Sequence, residues 1–456
     1  MGIWAPNCAE WTITQFATAK LGAILVNINP SYRLNEVQYA LKQSGCAWLV
    51  TAPRFKTSDY TAMIHELAPE LAAQPARRAG LRRRFPDLRG VVRLGDEPSP
   101  GMLRLGRAAG DGRAGRRRRA GRGGSGSRSS TIRSTSSTRA GTTGYPKGAT
   151  LSHHNILNNG YFTTELLRFT DRDRLLIPVP LYHCFGMVMG NLGCVTHGAT
   201  MIYPSDGFDA ARPCWRPSQA ERATALYGVP TMFIAELNHP DFARYDLSTL
   251  RTGIMAGSPC PVEVMKQVQA QMHMREVAIA YGMTETSPVS TQTRIGRAAG
   301  QAGGHGGPGA PARADQDRRS RRPGQVVPVG ERGELCTRGY SVMLGYWDND
   351  EATRDGHRRR RAGCTRATSA TMDDEGYLNI VGRIKDMIIR GGENVYPREI
   401  EEFLYSHPKV QDVQVIGVPD EKYGEEIMAW VKLREAGTAT GEEIRDYCRG
   451  KIALPR

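Results

Sequence analysis

The stretch Gly141-Thr142-Thr143-Gly144-Tyr145-Pro146-Lys147-Gly148 carries the strongest local signal in the chain. Its three glycines allow tight turns in which several backbone N–H groups face one anion. The two threonines add hydroxyl donors, and Lys147 adds a positive charge. The stretch therefore predicts a loop that holds a triphosphate, although taken alone it also fits a flexible Gly/Thr surface loop. Its spacing differs from that of the P-loop, which opens a helix directly.

Outward from this loop, short apolar runs alternate with segments of helical spacing. Strands are predicted at 22–27, 47–50, 175–180, 199–203, 410–418 and 427–433. Helices are predicted at 34–44, 155–167, 262–273 and 398–405. This alternation favours an α/β architecture. A chain of 456 residues is too long for one ordinary domain, so we expect two or three.

Composition and cysteine usage indicate in which cellular compartment the protein is expected. No apolar run reaches the length of about 18 residues that a spanning helix needs, so no integral membrane segment is expected. The first six residues lack the charged start and apolar core of a signal peptide. The nine cysteines are scattered without a Cys-x-x-Cys pair, which fits free thiols better than a disulfide framework or a zinc site. We therefore expect a cytoplasmic protein.

The net charge of +15 raises the question of a nucleic-acid partner. The positive charge is concentrated in three segments, 102–140, 297–322 and 354–366, which are rich in Arg, Gly and Ala and hold no lysine. They show neither helical nor strand periodicity, and two of them interrupt well-patterned sequence. We therefore expect no nucleic-acid partner. The alternative of an Arg-rich binding segment would require salt-dependent retention of duplex DNA.

Further motifs follow the Gly/Thr-rich loop in a fixed order. These motifs are Pro180–Gly186 (PLYHCFG), Ala256-Gly257-Ser258, Tyr281–Thr286 (YGMTET), Gly333-Glu334-Leu335 with Gly345-Tyr346-Trp347, Gly382–Asp386 (GRIKD), and Arg390–Pro397 (RGGENVYP). In this order, and together with residues 141–155, they resemble the signature motifs of the adenylate-forming superfamily. The resemblance covers nearly the whole chain outside the Arg-rich segments and is closest to fatty acyl-CoA synthetases of the medium-chain type.

The resemblance implies the fold class and the domain organisation. The expected fold is α/β, with a large N-terminal adenylate-forming domain of layered sheets and helices and a small C-terminal α+β domain. The expected boundaries are 1–384 for the AMP-binding domain and 385–456 for a C-terminal lid domain that is cut short. In this family a carboxylate attacks the α-phosphate of ATP to form an acyl-adenylate, and the thiol of coenzyme A then displaces AMP. The implied partners are a fatty acid, ATP, Mg²⁺ and coenzyme A.

The resemblance also implies roles for individual residues. Glu285 would bind Mg²⁺, Thr284 would contact the α-phosphate, and His183 would lie near the acyl carboxylate, whereas Lys385 would be the hinge of the lid motion. The alternatives are a surface glutamate for Glu285 and a satisfied core histidine for His183. The predicted nucleotide and coenzyme A contacts are Gly141, Thr142, Thr143, Gly144, Lys147, Gly257, Ser258, Tyr281, Gly282, Arg383, Gly391 and Gly392.

The Arg-rich segments depart from the family pattern in a way that suggests frameshifts. A family-like Asp-Pro-Ile-Asn-Ile-Gln-Tyr-Thr, read one base later in GC-rich codons, becomes the sequence from Ile132 to Arg139. Gly-Trp-Met-His-Thr-Gly-Asp-Leu similarly becomes the sequence from Ala362 to Ser369. The segments 102–140, 297–322 and 354–370 are therefore interpreted as frameshifted. Thr368 then occupies the position of the ribose-binding aspartate of the family.

These departures leave two functional alternatives beside an active ligase. A chain with unpatterned inserts, which we expect to be unable to rebuild buried strands, would be an inactive remnant. An adenylation enzyme with another acceptor is the second alternative, against which Gly391-Gly392 argues. The resemblance also leads us to expect further residues before Met1, and a C-terminal lysine beyond Arg456.

Overall fold

The computed structural model describes most of the chain. The described residues are 1–73, 84–105, 133–139, 147–295, 305–306, 313–315, 327–357, 364–383, 388–390, 393–395, 397–420 and 424–449. The predicted contacts Gly141, Thr142, Thr143, Gly144, Gly391 and Gly392 and the predicted hinge Lys385 lie outside these residues. Arg383 is described by its backbone alone.

Helices and strands alternate along the chain, as the sequence predicts. The helices are α1 (Ala9–Leu21), α2 (Leu34–Gln43), α3 (Tyr60–Leu67), α4 (His153–Glu165), α5 (Gly193–His197), α6 (Trp215–Glu221), α7 (Pro230–Leu237), α8 (Val262–Gln271), α9 (Asp350–His357), α10 (Pro397–Tyr405) and α11 (Gly441–Cys448). A π-helix spans Phe185–Leu192, and 3₁₀ turns span Pro69–Leu71, Phe242–Arg244 and Thr284–Thr286.

The strands pair into separate sheets. They are β1 (Gly2–Trp4), β2 (Leu25–Asn27), β3 (Trp48–Thr51), β4 (Arg54–Phe55), β5 (Ser58–Asp59), β6 (Gly90–Arg93), β7 (Leu103–Arg104), β8 (Arg133–Arg139), β9 (Lys147–Ser152), β10 (Arg174–Leu176), β11 (Thr200–Ile202), β12 (Ala225–Gly228), β13 (Thr252–Ala256), β14 (Glu276–Gly282), β15 (Val289–Gln292), β16 (His305–Gly306), β17 (Arg313–Asp315), β18 (Gly333–Thr337), β19 (Gly345–Tyr346), β20 (Cys364–Met372), β21 (Leu378–Arg383), β22 (Ile388–Arg390), β23 (Glu393–Val395), β24 (Val410–Asp420) and β25 (Gly424–Leu433).

Among the described residues, four larger sheets organise the fold. Their strand orders are β19-β9-β8-β2-β1-β3-β6-β7, β11-β10-β12-β13-β14-β15, β16-β21-β20-β18-β17 and β23-β22-β25-β24, and β4 and β5 form a separate hairpin. In the second sheet, β10 to β14 run parallel, so the carboxyl ends of β12, β13 and β14 meet at one edge. That edge is where ligands bind in parallel α/β sheets.

Apolar side chains from helices cover both large sheets. One cluster joins β1, β3, α4 and the π-helix through side chains such as Trp4, Leu49 and Val188. A second cluster packs α6, α7 and α8 on the other face of the β10–β15 sheet. Separately, α10 and α11 pack on the β22–β25 sheet around Leu404 and Val413. The large N-terminal domain and the small C-terminal domain therefore have cores of their own.

Most local predictions from periodicity are confirmed, with shifted ends. The strand predicted at 22–27 begins only at Leu25, because Gly22 adopts a left-handed conformation (φ of 70°) that ends α1. The strand predicted at 175–180 ends at Leu176, before Pro178 and Pro180, which have no N–H group for a ladder. No helix among the described residues is both long and apolar enough to cross a bilayer.

The expectation that the Arg-rich segments cannot rebuild strands is wrong for all three. Segment 297–322 contains β16 (His305–Gly306), which pairs with β21, and β17 (Arg313–Asp315), which pairs with β18. Residues Arg133–Arg139 form β8, parallel to β2 and antiparallel to β9. Residues Cys364–Met372 form β20 between β18 and β21. Ladder hydrogen bonds join backbone N–H and C=O groups, which every residue except proline carries. Neighbouring strands therefore supply partners even where the side-chain pattern is lost.

Candidate active site

Lys147 and Gly148 are the described residues of the predicted phosphate loop, and Lys147 is its charged side chain. Lys147 begins β9, directly after residues 141–146. Its Nζ atom lies 5.4 Å from the centre of the Tyr346 ring, a separation typical of a cation–π contact. The cation is thereby held next to β19, which pairs with β9.

Glu285 is a buried carboxylate, which excludes the alternative of a surface glutamate. It lies in the 3₁₀ turn after β14 and is 1 % exposed. The Tyr346 hydroxyl donates a hydrogen bond of 2.6 Å to Glu285 Oε1. The backbone N–H of Met343 donates to the Glu285 carbonyl at 2.9 Å. An ionised carboxylate is costly to bury unless hydrogen bonds or a cation compensate it, and the Tyr346 hydroxyl supplies one such hydrogen bond.

The loop after Glu285 is fixed by polar side chains of neighbouring elements. Asn159 of α4 accepts a hydrogen bond of 3.1 Å from the Val289 N–H and donates one of 2.9 Å to the Val289 carbonyl. The Ser287 hydroxyl donates to the Ser341 carbonyl at 2.6 Å. These contacts hold the Thr284–Thr286 turn rigidly between α4 and the segment before β19.

The chemistry of Glu285 fits Mg²⁺, which prefers carboxylate oxygens and usually keeps phosphate and water ligands as well. Within the part of the chain that the structure describes, no group of three or more His, Cys, Asp or Glu side chains could hold a metal alone. A single buried carboxylate beside Lys147 therefore fits an ion that arrives with a nucleotide. Thr284, 3 % exposed, lies in the same turn.

The predicted adenine contacts come together at the carboxyl edge of the parallel sheet. Ala256 and Ala280 are register partners on β13 and β14, so Gly257 and Tyr281 follow them side by side. Gly257 has a φ of +92°, which favours glycine, and Gly257 and Ser258 are exposed. At Gly282 a Cβ atom would lie 1.8 Å from the Pro288 carbonyl oxygen, so this glycine is required by packing.

Tyr281 contacts Thr368, a contact that the sequence analysis missed. The Tyr281 hydroxyl donates a hydrogen bond of 2.8 Å to Thr368 Oγ1, and Thr368 is 8 % exposed. In the β20–β21 ladder, Thr368 is the register partner of Arg383. The structure therefore brings Thr368 and the backbone of Arg383 next to the predicted adenine slot. The two residues that share the hydrogen bond are 87 positions apart, so local spacing gives no signal for it.

His183 is exposed, which excludes the alternative of a buried core histidine. Its Nδ1 atom accepts a hydrogen bond of 3.1 Å from the Phe185 N–H, so the ring proton of the neutral imidazole belongs on Nε2. The neighbouring Cys184 is fully buried. Burial, together with the smaller effect of the nearby Glu285 charge, raises the pKa of its thiol to about 12. The turn that carries His183 therefore lies close to Glu285.

Two models of known families match the chain. The model described as AMP-binding enzyme matches residues 1–347, and the model described as AMP-binding enzyme C-terminal domain matches residues 399–455. Acyl-CoA synthetase YngI of Bacillus subtilis is 46 % identical over 100 % of this chain and 82 % of its own length. The mitochondrial medium-chain acyl-CoA ligase ACSF2 of Danio rerio is 43 % identical over 99 % of this chain and 74 % of its own length.

Solved structures share the fold. The anthranilate CoA ligase AuaEII, in complex with anthranoyl-AMP, superposes with a TM-score of 0.84 at 24 % sequence identity. The superposition covers 99 % of this chain and 81 % of the AuaEII chain. ATP-bound MatB of Rhodopseudomonas palustris gives 0.80 at 27 % identity, with 99 % and 82 % covered. These likenesses concern the fold, whereas the family-model and sequence matches over nearly the whole chain show that it belongs to the AMP-binding, adenylate-forming enzymes and, within them, to the acyl-CoA synthetases.

Proposed function

We propose that this chain activates a fatty acid with ATP, forms an acyl-adenylate with release of pyrophosphate, and transfers the acyl group to coenzyme A with release of AMP. The observation that carries the proposal is the buried Glu285 carboxylate, whose Tyr346 partner also contacts Lys147. A buried anion and a cation at one sheet edge suit a triphosphate with its metal ion. The acyl-CoA synthetases among the relatives support the same reaction.

In the first step, formation of the acyl-adenylate, each residue of the site would contact a different part of the substrates. Lys147, with Gly141, Thr142, Thr143 and Gly144, would hold the β- and γ-phosphates, and Thr284 would contact the α-phosphate. Mg²⁺, when bound, would neutralise phosphate charge, and Glu285 is the residue that would hold it. His183 would orient the fatty acid carboxylate through its imidazole, which the Phe185 N–H contact at Nδ1 holds in place. Such fixed donors and charges accelerate phosphoryl chemistry through positioning and electrostatics.

Residues around the nucleoside would fix the adenosine. Gly257, Ser258, Tyr281 and Gly282 line the edge formed by β13 and β14, and Arg383 would reach the ribose or α-phosphate. Thr368 would face the ribose with one neutral hydroxyl. A hydroxyl supplies a weaker acceptor than a carboxylate, so we expect weak binding of ATP for this family.

The lid domain would serve the second step. We place its boundary at Lys385, between the two segments that the family models match. In the described conformation, Arg434 Nη1 donates to Asn238 Oδ1 at 3.2 Å, and the Val262 N–H donates to Glu402 Oε2 at 3.5 Å. Rotation about Lys385 would break these contacts and bring Gly391 and Gly392 to the coenzyme A channel.

A medium-chain fatty acid is the proposed substrate because the ACSF2 relatives carry that description. Close to the turn that carries His183, the rings of Phe185 and Tyr227 stack in the core with their centres 5.6 Å apart. A cytoplasmic location stays a prediction, since the ACSF2 relatives are described as mitochondrial.

Exchange of radiolabelled pyrophosphate into ATP tests the first step. With Mg²⁺ and fatty acids from four to sixteen carbons, exchange should depend on the acid and be greatest at medium length. Addition of coenzyme A should then yield acyl-CoA and AMP. Exchange without acyl-CoA formation would favour another acceptor, and no exchange with any acid would favour the inactive remnant.

A further inference from the structure

Tyr346 lies on a short strand that is tied to the end of the phosphate loop. Gly345 and Tyr346 are register partners of Thr150 and Ala149 on β9. The Trp347 N–H also donates to the Gly148 carbonyl at 2.7 Å. On its other side, the Tyr346 N–H donates to Thr353 Oγ1 at 2.8 Å. The backbone of Tyr346 is therefore fixed relative to Lys147, the first residue of β9.

The side chain of Tyr346 reaches a different motif. Its hydroxyl donates to Glu285 Oε1 at 2.6 Å, and the two residues are 6 % and 1 % exposed. Their separation of 61 residues means that the contact joins two distant parts of the sequence. A phenol is a neutral donor, so it orients the carboxylate without cancelling the negative charge. A lysine or arginine in its place would neutralise that charge.

The face of the same ring carries Lys147, with Nζ 5.4 Å from the ring centre. Tyr346 thus contacts the cation with its ring and the anion with its hydroxyl. Opposite charges in a low-dielectric site attract strongly, and a direct ion pair would leave less charge for a ligand. A rigid aromatic ring that contacts both groups holds them at a fixed spacing.

We propose that Tyr346 is a positioning residue that orients the Glu285 carboxylate through its hydroxyl and holds Lys147 against its ring, so that the two charges stay apart and both can serve metal–ATP. The inference rests on the proposed function, because it assumes that both charges serve the nucleotide. It adds a role for the ring and the hydroxyl of Tyr346.

Two substitutions separate the hydroxyl from the ring. Tyr346→Phe keeps the ring over Lys147 and removes the donor to Glu285. ATP binding to the full chain is measured by calorimetry, once with Mg²⁺ and once with EDTA. We expect Y346F to weaken binding about tenfold with Mg²⁺, the size typical of a lost hydrogen bond to a charged group, and to leave binding in EDTA unchanged. Tyr161→Phe, on the outer surface of α4, is the matched control and should change neither value.

Tyr346→Leu removes the ring as well and allows Lys147 to approach Glu285. We expect Y346L to weaken ATP binding about tenfold in EDTA too, because the lysine then pairs with the carboxylate. Circular dichroism on each variant separates this effect from unfolding. The positioning role is overturned if folded Y346F binds as the parent chain does with Mg²⁺, or loses the same factor in both conditions, or if folded Y346L binds normally in EDTA.

The same data distinguish failure of the inference from failure of the proposed function. If the parent chain binds ATP more tightly with Mg²⁺ and Y346F does not differ from it, the inference alone fails. If the parent chain shows no binding of ATP that depends on Mg²⁺, the proposed function fails and the inference fails with it.

Discussion

Two tyrosine hydroxyls in this protein each join a motif of the nucleotide site to a distant strand, but their partners differ. Tyr346 donates to the Glu285 carboxylate at 2.6 Å, in a buried environment. Tyr281 donates to the Thr368 hydroxyl at 2.8 Å, in a partly buried one. The first pair contains a charged acceptor, and the second pair is neutral on both sides.

The difference between the two pairs is that charged side chains surround Tyr346, whereas the partner of Tyr281 is neutral. Around Glu285, the carboxylate contacts the hydroxyl of Tyr346 and the Lys147 cation lies over the ring of the same residue, an arrangement suited to phosphates and a metal ion. Around Thr368, the strand β20 is formed and the backbone is in place, but the side chain that faces Tyr281 is uncharged. Backbone pairing can form a strand whatever the chemistry of its side chains.

Removing the charge from the first pair should have the largest effect. Glu285→Gln keeps the size and a hydrogen-bond acceptor for Tyr346 but removes the negative charge. We expect pyrophosphate exchange to fall by about 10² to 10³, the range found when a preorganised electrostatic group is lost. Glu263→Gln, at a half-buried residue of α8 whose carboxylate pairs with Lys266, is the control. Exchange above about a tenth of the parent rate would contradict a role for the charge at position 285.

A buried carboxyl outside the site provides a contrast with Glu285. Glu236 is 2 % exposed, its Oε1 atom accepts a hydrogen bond of 3.2 Å from the Cys214 N–H, and its Oε2 atom has no partner among the described residues. Burial raises the pKa of this carboxyl from 4.5 to about 7. The folded state therefore binds the proton more tightly than the unfolded state, and the free energy of unfolding should fall as the pH rises from about 4.5 to about 7.

Glu236→Gln should remove this pH dependence. The stability of the variant relative to the parent should rise by on the order of 3 kcal/mol between pH 4.5 and pH 8. Urea unfolding at several pH values measures it, with the exposed Glu66→Gln as a control that should follow the parent curve. Parallel curves for E236Q and the parent would show that this carboxyl does not titrate in the folded protein.

Adding a negative charge to the Tyr281–Thr368 pair should make it resemble the Tyr346–Glu285 pair. Thr368→Asp gives the Tyr281 hydroxyl a carboxylate partner and offers both ribose hydroxyls an acceptor. We expect the KM for ATP to fall about tenfold, with a smaller fall for 2′-deoxy-ATP, because charged acceptors strengthen hydrogen bonds. Thr371→Asp on the same strand is the matched control. An unchanged KM ratio between the two nucleotides would argue against a ribose contact at position 368.

The same substitution at the two tyrosines should have unequal effects, and the smaller one belongs to Tyr281. Tyr281→Phe removes a hydrogen bond between two neutral groups, which contributes about 1 kcal/mol or less to stability. We expect the KM for ATP to change by no more than about twofold. Steady-state kinetics of Y281F and Y346F, measured together, compare the pairs directly. A larger effect at Tyr281 than at Tyr346 would reverse the comparison.

Much of the architecture and part of the site could be predicted without coordinates. Helical spacing located α2, α8 and α10 to within two residues at each end, because an amphipathic helix carries its own period. The ends of β2 and β10 were misplaced because a left-handed glycine and two prolines stop a strand irrespective of its apolar pattern. The motif order predicts Lys147, Thr284 and Glu285 as site residues because they lie in short contiguous signatures.

The sequence by itself determined the family and the order of the motifs, and it predicts a departure at Thr368, since each is a property of neighbouring residues along the chain. Only the tertiary structure decided that Arg133–Arg139 forms a strand, because β2 and β9 supply its backbone partners. It also decided the partners of Glu285 and Tyr281, which lie 61 and 87 residues away. Such contacts depend on sheet register and packing, and no local pattern specifies which distant side chain will fill the space beside a carboxylate.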